Sequence, residues 1–224
     1  MDSKQEVRER IWKRLERERA ARFPGAQGRI PNFRGAEQAA ARLAELPEWQ
    51  AARVIKANPD APQLPVRRRA RQDGKTLYMA VPRLTTPRPF VEVRGDPTIK
   101  RAMSEGTPRG LDELEPMDLV VCGTVAVNRN GVRIGKGGGF SDLEFGLLAE
   151  RGLVGDDTTI VTTVHELQLL AEDLPETEHD FRVDVIVTPE SVLRPPRRRR
   201  PPGILWDHLD PEKRVAIPVL GGAG

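Results

Sequence analysis

The segment that most constrains the fold is DLVVCGTVAV, residues 118–127, because it is almost continuously apolar. A strand covered on both faces needs apolar side chains at every position, whereas a strand with one solvated face alternates. The segment therefore predicts a central strand of a buried, mostly parallel sheet. Further strand candidates, ARVIKA, KTLYMAV, TTIVTTV and VDVIVTP, alternate along the chain with helical patterns, which is typical of α/β proteins.

Helical patterns surround these strand candidates. Ser3 followed by Glu6 matches a capping box, and apolar residues then recur at helical spacing, so the chain is predicted to open with an amphipathic helix. An alanine-rich helix is predicted from about 36 to 46, and further helices in DPTIKRAMSEG and SDLEFGLLAERG. The sequence therefore predicts a three-layer α/β domain with N-terminal helices and a mostly parallel sheet over residues 1–194.

The C-terminal residues 195–224 differ in composition from the rest. PPRRRRPP places four arginines between proline pairs, which disfavour helix and sheet pairing, so we expect an extended basic arm. A second basic cluster is VRRRAR, residues 66–71. Because 36 Lys and Arg nearly balance 33 Asp and Glu, the overall charge does not by itself imply a nucleic-acid-binding surface. The clusters leave open an RNA-binding accessory protein, or simply a polar helix face and an arm that pairs with acids.

Cysteine, histidine and the N-terminus limit the functional classes further. The single cysteine, Cys122, can form no intramolecular disulfide, and its apolar surroundings predict a buried thiol. No His and Cys cluster has zinc spacing, and His165 is expected at a helix start or the surface, with a role at a strand end as the alternative. The start of the chain lacks an apolar signal core and no apolar run is long enough to cross a bilayer, so we expect a cytoplasmic protein.

A glycine-rich turn in GVRIGKGGGFSDLE, residues 131–144, is the strongest functional signal. Glycines let main-chain N–H groups approach an anion, and a turn of this kind between a strand and a helix can cradle phosphate. Lys136 and Arg133 would add positive charge, and Asp142 or Glu144 could hold a metal ion against the phosphates. The pattern matches neither GxxxxGK[ST] nor GxGxxG. The alternative is a tight turn with Ser141 or Asp142 as helix N-cap.

These residues resemble the 5-formyltetrahydrofolate cyclo-ligase family, also called methenyltetrahydrofolate synthetases. GVRIGKGGGFSDLE is similar to the strand, glycine loop and helix of that family, and KQEVRERIW is similar to its opening helix. GRIPNFRGA, KTLYMAVPRL and HDFRVDVIVTP further resemble the branch of methenyltetrahydrofolate synthase domain-containing proteins. The resemblance runs from about Lys4 to Trp206.

The resemblance implies a Rossmann-like α/β fold of the kind found in sugar-phosphate isomerases and CoA transferases. It also implies an ATP- and Mg²⁺-dependent ligase that converts 5-formyltetrahydrofolate to 5,10-methenyltetrahydrofolate, ADP and phosphate. ATP and a folate or related small molecule are therefore the expected partners. Such phosphoryl transfer requires mainly positioning and charge neutralisation, which a glycine loop with nearby cations can supply.

The resemblance implies site residues by position. Those expected to take part in catalysis are Lys4, Arg133 and Lys136. Those expected to bind ATP are Lys4, Arg8, Gly135, Lys136, Gly137, Gly138, Gly139 and Phe140. Those expected to hold Mg²⁺ are Asp142 with Asp180 or Asp184.

The chain departs from the family pattern just after the glycines. Family members usually have two aromatics, Asp and a basic residue there, whereas this chain has Phe140, Ser141, Asp142 and Leu143. Aromatic residues make up 4% of the chain, so flat surfaces that could stack on a pterin are scarce. A nucleotide- or folate-binding protein without catalysis is therefore an alternative to the ligase.

Overall fold

The computed structural model describes residues 2–196 and 199–221, so Arg197 and Arg198 lie outside the described residues. The strands are β1 (Val54–Ala57), β2 (Thr76–Ala80), β3 (Phe90–Glu92), β4 (Thr107–Arg109), β5 (Leu119–Cys122), β6 (Ala126–Asn128), β7 (Arg133–Ile134), β8 (Thr159–Thr163), β9 (Leu169–Leu170), β10 (Val185–Val187) and β11 (Val192–Leu193). The α-helices are α1 (Lys4–Arg17), α2 (Ala36–Ala44), α3 (Pro47–Ala51), α4 (Leu64–Gln72), α5 (Ile99–Glu105), α6 (Phe140–Glu150) and α7 (Pro211–Ala216). Among the described helices, none has both the length and the apolar character that crossing a membrane requires.

The central sheet has eight strands in the order β11-β10-β8-β5-β1-β2-β3-β4. Its inner strands β1, β2, β5, β8 and β10 are parallel, and β3, β4 and β11 are antiparallel at the two edges. The chain goes from β1 to β2 in one direction and from β5 to β8 and β10 in the other, so the strand order reverses between β1 and β5. Open α/β sheets bind ligands beyond the carboxyl ends of the strands at such a reversal.

Alternate residues of β5 pack on opposite faces of the sheet. Leu119 and Val121 face a core shared with α2 and α4, whereas Val120 and Cys122 face a core shared with α6. All four residues are 3% exposed or less. Burying an aliphatic side chain of this size stabilises the folded state by about 1.5–3 kcal/mol, and β5 buries such side chains on both faces of the sheet. The predicted three-layer arrangement, with a strand covered on both sides, is confirmed.

The apolar run 118–127 is nevertheless two strands. β5 ends at Cys122, and β6 begins at Ala126 in a second sheet of order β7-β6-β9. At Gly123, where the chain leaves the central sheet, an added Cβ would lie 2.8 Å from Asp60 Oδ2 and 3.1 Å from the Ile30 side chain. Both strands are buried, so the apolar pattern continues through the break and conceals it.

The N-terminal helix covers the second sheet. The apolar face of α1 is buried against β6 and β7. Its capping box is confirmed, since Ser3 Oγ accepts a hydrogen bond from the Glu6 amide and the Glu6 carboxylate accepts one from the Ser3 amide. This packing brings Lys4 and Arg8, on the other side of α1, to the glycine-rich turn after β7.

The described part of the C-terminal segment, residues 199–221, packs on the domain. The Arg200 guanidinium donates a hydrogen bond to Asp184 at 2.5 Å. Ile217 and Leu220 are each 3% exposed and belong to the same core as α6. This placement differs from the extended arm expected from the prolines, because proline prevents regular pairing but does not prevent side chains from packing or forming ion pairs.

The buried thiol of Cys122 gives a first testable prediction. Cys122 is 1% exposed, and burial raises the pKa of its thiol above the usual value. We expect the folded protein to be unreactive towards a thiol-specific chromogenic disulfide, and unfolding in guanidinium to release one reactive thiol per chain. Fast stoichiometric reaction of the folded protein would contradict this burial.

Candidate functional site

A pocket with a volume of about 340 Å³ lies beyond the carboxyl ends of β1 and β5. Asp60, which follows β1, and Gly123, which follows β5, both line it, so the pocket is at the point where the strand order reverses. Its other walls come from α1, the turn between β7 and α6, the loop before β10, and the C-terminal segment. Pockets of roughly 300–1,000 Å³ are typical of small-molecule sites.

The glycine loop, residues 135–139, joins β7 to α6 along one wall of this pocket. Gly137 and Gly139 have φ angles of +109° and +69°, in the left-handed region that favours glycine. Gly139 is the N-cap of α6, and no side chain caps this helix. Ser141 and Asp142, considered above as caps, lie in the first turn instead. The uncapped N–H groups of α6 and its positive dipole end are therefore available to an anion.

Two cations from opposite ends of the chain hold the glycine loop by its carbonyl groups. Arg8 Nε donates to Gly135 O at 2.7 Å, and Lys213 Nζ donates to Gly138 O at 2.8 Å. Burial lowers the pKa of Arg8, and the charge of Asp180 opposes that shift. Arginine begins from so high a pKa that Arg8 stays cationic at neutral pH. The loop thus has a positive group near each of its two ends.

A buried ion pair lies beside the loop. Arg133 Nη2 donates to Asp142 Oδ1 at 2.7 Å, and the Arg133 side chain is 2% exposed. The guanidinium carbon also lies 4.1 Å from the centroid of the Phe181 ring. Burial lowers the pKa of Arg133, but the charge and hydrogen bond of Asp142, together with the charges of Cys122 and Asp180, outweigh burial, and the net shift is upward. The pair therefore keeps a fixed cation and a fixed carboxylate together at the pocket.

A second ion pair connects α1 to the loop before β10. Lys4 Nζ donates to Asp180 Oδ2 at 2.5 Å, and the same oxygen accepts a hydrogen bond from the Thr177 amide at 2.6 Å. Burial raises the pKa of Asp180, but the hydrogen bonds from Lys4 and Thr177 outweigh it and lower the pKa below its usual value. Asp180 is thus ionised at neutral pH and holds the Lys4 ammonium at the pocket. Beside it, His179 Nδ1 is buried without a hydrogen-bond partner among the described residues.

The turn after β1 supplies another acid to the pocket. Lys136 Nζ lies 3.6 Å from Asp60 Oδ1, and the Lys136 side chain is 53% exposed. The turn is held by Arg67, which donates to the carbonyl groups of Asn58, Asp60 and Pro97. Burial lowers the pKa of Arg67 to about 10. This arginine of the VRRRAR cluster is therefore a structural residue that positions the Asp60 turn.

Comparison with known proteins decides the family. The sequence model of the 5-formyltetrahydrofolate cyclo-ligase family matches residues 1–189. The chain belongs to this family. Relatives of this chain include the methenyltetrahydrofolate synthase domain-containing proteins of Mus musculus, 42% identical over 233 residues, and of Homo sapiens, 39% identical over 233 residues. The matches cover 97% of this chain but 62% and 60% of the relatives, so the chain spans about 60% of their length.

Solved structures of two cyclo-ligase family proteins have the same fold. The NMR structure of Aquifex aeolicus 5,10-methenyltetrahydrofolate synthetase superposes with a TM-score of 0.58 at 21% identity, covering 88% of this chain and 94% of that one. A 5,10-methenyltetrahydrofolate synthetase from Mycoplasma pneumoniae gives 0.50 at 12% identity, covering 84% and 98%. At such identities the similarity concerns the fold alone, and it confirms the predicted α/β architecture.

The cyclo-ligase residues predicted from the sequence line the pocket, with the exception of Asp184. Asp184 immediately precedes β10, so it lies at the amino end of that strand, whereas the pocket is at the carboxyl ends of β1 and β5. Its Oδ2 accepts hydrogen bonds from the Ile160 amide at 2.8 Å and from Arg200 at 2.5 Å. Of the two acids predicted as the second metal ligand, Asp180 therefore lines the pocket and Asp184 does not.

The acids that line the pocket could hold a metal ion only if a bound ligand supplied further oxygen atoms to it. In the described part of the chain, no three His, Cys, Asp or Glu side chains are grouped to hold a metal ion. Mg²⁺ commonly binds through one or two carboxylates, several waters and phosphate oxygens, which fits Asp142 with an ATP phosphate chain. Glu144, the other acid considered, is buried against Lys56 and does not line the pocket.

Sequence reasoning missed a buried polar network behind the glycine loop. Lys56 in β1 pairs with the Glu144 carboxylate of α6 and donates to Asn58 Oδ1 at 2.7 Å. Asn58 Nδ2 donates in turn to Ser141 Oγ at 2.9 Å. The network ties β1 to the first turn of α6 and so positions the glycine loop. The lysine within the apolar strand ARVIKA was the available signal, since a charge in a doubly covered strand requires a buried partner.

Several described residues of the two basic clusters, and His165, have contacts within the domain. Those contacts are Arg69 with Asp73, Arg71 with the carbonyl groups of Lys75 and Arg94, Arg199 with Glu176, and Arg200 with Asp184. His165 Nδ1 accepts a hydrogen bond from the Leu167 amide at 3.1 Å and begins a short 3-10 helix. The expectation of a helix-start histidine is confirmed.

Proposed function

We propose that the protein is an ATP- and Mg²⁺-dependent cyclo-ligase that converts 5-formyltetrahydrofolate to 5,10-methenyltetrahydrofolate. The observation that carries this proposal is the convergence of Lys4 and Arg8 from α1 with Arg133 and the glycine loop on one pocket. These groups are far apart in the chain, and they meet where the strand order reverses. Membership of the cyclo-ligase family supports the same reaction class.

In the proposed complex, the phosphate chain of ATP lies on the glycine loop. The N–H groups at the start of α6 would donate to phosphate oxygens, and Arg8, Lys136 and Arg133 would balance their charge. Lys4, held by Asp180, would contact the phosphates from the α1 side. Mg²⁺, when bound, neutralises phosphate charge, and Asp142 with Asp180 are the residues proposed to hold it.

The proposed reaction balances without a covalent protein intermediate. The formyl oxygen of the folate takes the γ-phosphoryl group, which releases ADP. The second folate nitrogen then bonds to the formyl carbon and loses its proton, and phosphate leaves with the former formyl oxygen. The protein's task is to position the two substrates and stabilise the transferring phosphoryl charge.

The direct test supplies ATP, Mg²⁺ and 5-formyltetrahydrofolate and follows the near-ultraviolet absorbance of the methenyl product. Product formation that requires all three supports the proposal. If the protein binds ATP but forms no product, the result would support a non-catalytic nucleotide- or folate-binding protein instead. One observation favours that second candidate: Phe140 is the sole Phe, Tyr or Trp among the described lining residues, so pterin stacking surface is scarce.

Replacing Lys136 by Ala is expected to weaken ATP binding. Its ammonium is close to Asp60 but half exposed, so it can turn to an ATP phosphate and form a charge-assisted hydrogen bond worth about 1–3 kcal/mol. Isothermal titration of the two proteins with ATP measures the difference. The exposed Lys100, replaced by Ala, is the matched control. Equal affinity of wild type and Lys136→Ala would remove Lys136 from the site.

A further inference from the structure

One wall of the pocket comes from residues beyond the range that the family model matches. The C-terminal wall, residues 203–213, lines the pocket, whereas the family match ends at residue 189. The wall is seated closely on α6, since a Cβ on Gly146 would lie 3.0 Å from Ile204 Cγ1. The Ile204 amide also donates to Glu150 Oε1 at 3.0 Å. The wall is therefore a built part of the pocket.

Some of the cations in the pocket are paired with an aspartate, and others are not. Lys4, Arg133 and Lys136 each have an aspartate within 3.6 Å. Among the described residues, Arg8 and Lys213 have no carboxylate within ion-pair distance, and each donates to a carbonyl of the glycine loop instead. A neutral carbonyl accepts a hydrogen bond but does not cancel a charge. Asp180 acts on Arg8 from a distance and Asp210 also lines the pocket, but neither cation is in a direct ion pair, so both can pair with an anionic ligand.

Lys213 lies at the N-terminus of α6, where a cation is unfavourable unless an anion is bound. Its Nζ would lie 3.4 Å from a Cβ on Gly139, the N-cap of α6, and it lies 5.4 Å from the centroid of the Phe140 ring. Cations are unfavourable near a helix N-terminus, whereas anions are favourable there. An ammonium has three donors, so Lys213 can keep its bond to Gly138 O and donate to an anion as well. An anion on the loop would stabilise both charges.

We infer that Lys213 binds the phosphate chain of a nucleotide at the end of the glycine loop next to α6, which makes the C-terminal wall part of the nucleotide site. The inference rests on the proposed function, in which the glycine loop holds the phosphates of ATP. Arg8 from α1 and Lys213 from α7 donate to loop carbonyls three residues apart, and together they flank the loop. Lys213 selects the phosphate chain and leaves recognition of the nucleoside to other residues.

The test compares Lys213→Ala and Lys213→Arg with wild type, using the full chain at fixed ionic strength. Titration with ATP is expected to show affinity reduced about 10- to 100-fold for Lys213→Ala, with partial recovery in Lys213→Arg. Inorganic tripolyphosphate should lose affinity in parallel. The thermal unfolding midpoint without ligand should change little, because losing the hydrogen bond to Gly138 O is offset by removing a cation from the helix N-terminus. The matched control is Lys13→Ala, an exposed lysine on α1.

Each contrary outcome has a distinct meaning. Wild type that binds ATP while Lys213→Ala binds it equally well overturns the role of Lys213 and leaves the proposed function intact. Wild type that binds neither ATP nor tripolyphosphate refutes the proposed function and the inference together. A variant that loses affinity for 5-formyltetrahydrofolate but keeps it for ATP assigns the C-terminal wall to the folate and overturns the inference. An equal loss in Lys13→Ala would show a general charge effect and overturn it as well.

Discussion

A Lys56→Met variant is expected to unfold with a free energy about 3–5 kcal/mol lower than wild type, because it leaves the buried Glu144 carboxylate without its cation. The Lys56 and Glu144 side chains are 3% and 8% exposed, so water cannot replace the lost ammonium. Asn58 would also lose the donor to its Oδ1. Guanidinium unfolding, followed by circular dichroism, measures the change.

The controls separate charge from packing. Lys56→Met combined with Glu144→Met removes both charges, and it is expected to be more stable than Lys56→Met alone, since no unpaired charge stays buried. Lys100→Met, at an exposed site on α5, should change the free energy by less than about 0.5 kcal/mol. A loss below about 1 kcal/mol for Lys56→Met would show that the pair contributes little, and the double variant would then be no better than the single one.

An Asp142→Asn variant is expected to lower kcat of the proposed cyclo-ligase reaction by about 10²–10³-fold. The amide oxygen still accepts the hydrogen bond from Arg133, so the geometry is largely kept while the negative charge is lost. That charge is proposed to hold a cation against the transferring phosphate, and metal-ion stabilisation of such charge is worth several kcal/mol, at about 1.4 kcal/mol per factor of ten. Steady-state rates at varied Mg²⁺ measure it.

The matched control for this prediction is Asp112→Asn. Asp112 is likewise an aspartate with an arginine partner, Arg151, and it does not line the pocket. The kcat of Asp112→Asn should stay within about twofold of wild type. Activity of Asp142→Asn within threefold of wild type at every Mg²⁺ concentration would exclude Asp142 from the reaction.

The fold was largely predictable because its layers follow from local patterns. An apolar run without alternation requires two covering layers, and β5 has them. The capping box of Ser3 and Glu6 was readable because its atoms are three residues apart. The break at Gly123 was not readable, since it depends on the approach of Ile30 and Asp60, which are distant in sequence.

The part of the site that lies within one short segment of the sequence was predictable. The glycine loop, Lys136 and Asp142 lie in one stretch of 131–144, and the resemblance added Lys4 and Arg8 by position. The misplacement of Asp184 arose because proximity in sequence to Asp180 does not show at which end of β10 a residue lies. Lys213 had no motif around it, so nothing local pointed to the pocket.

The sequence by itself determined the α/β class and the family, and it predicted an anion-binding loop, because each depends on residue types within short windows. Only the tertiary structure decided which charges are neutralised and which remain available. Lys56 and Arg133 are paired with carboxylates, whereas Arg8 and Lys213 bind carbonyl groups of the glycine loop. The physical reason is that charge compensation acts over a few ångströms of space, and here the partners are up to 127 residues apart in the chain.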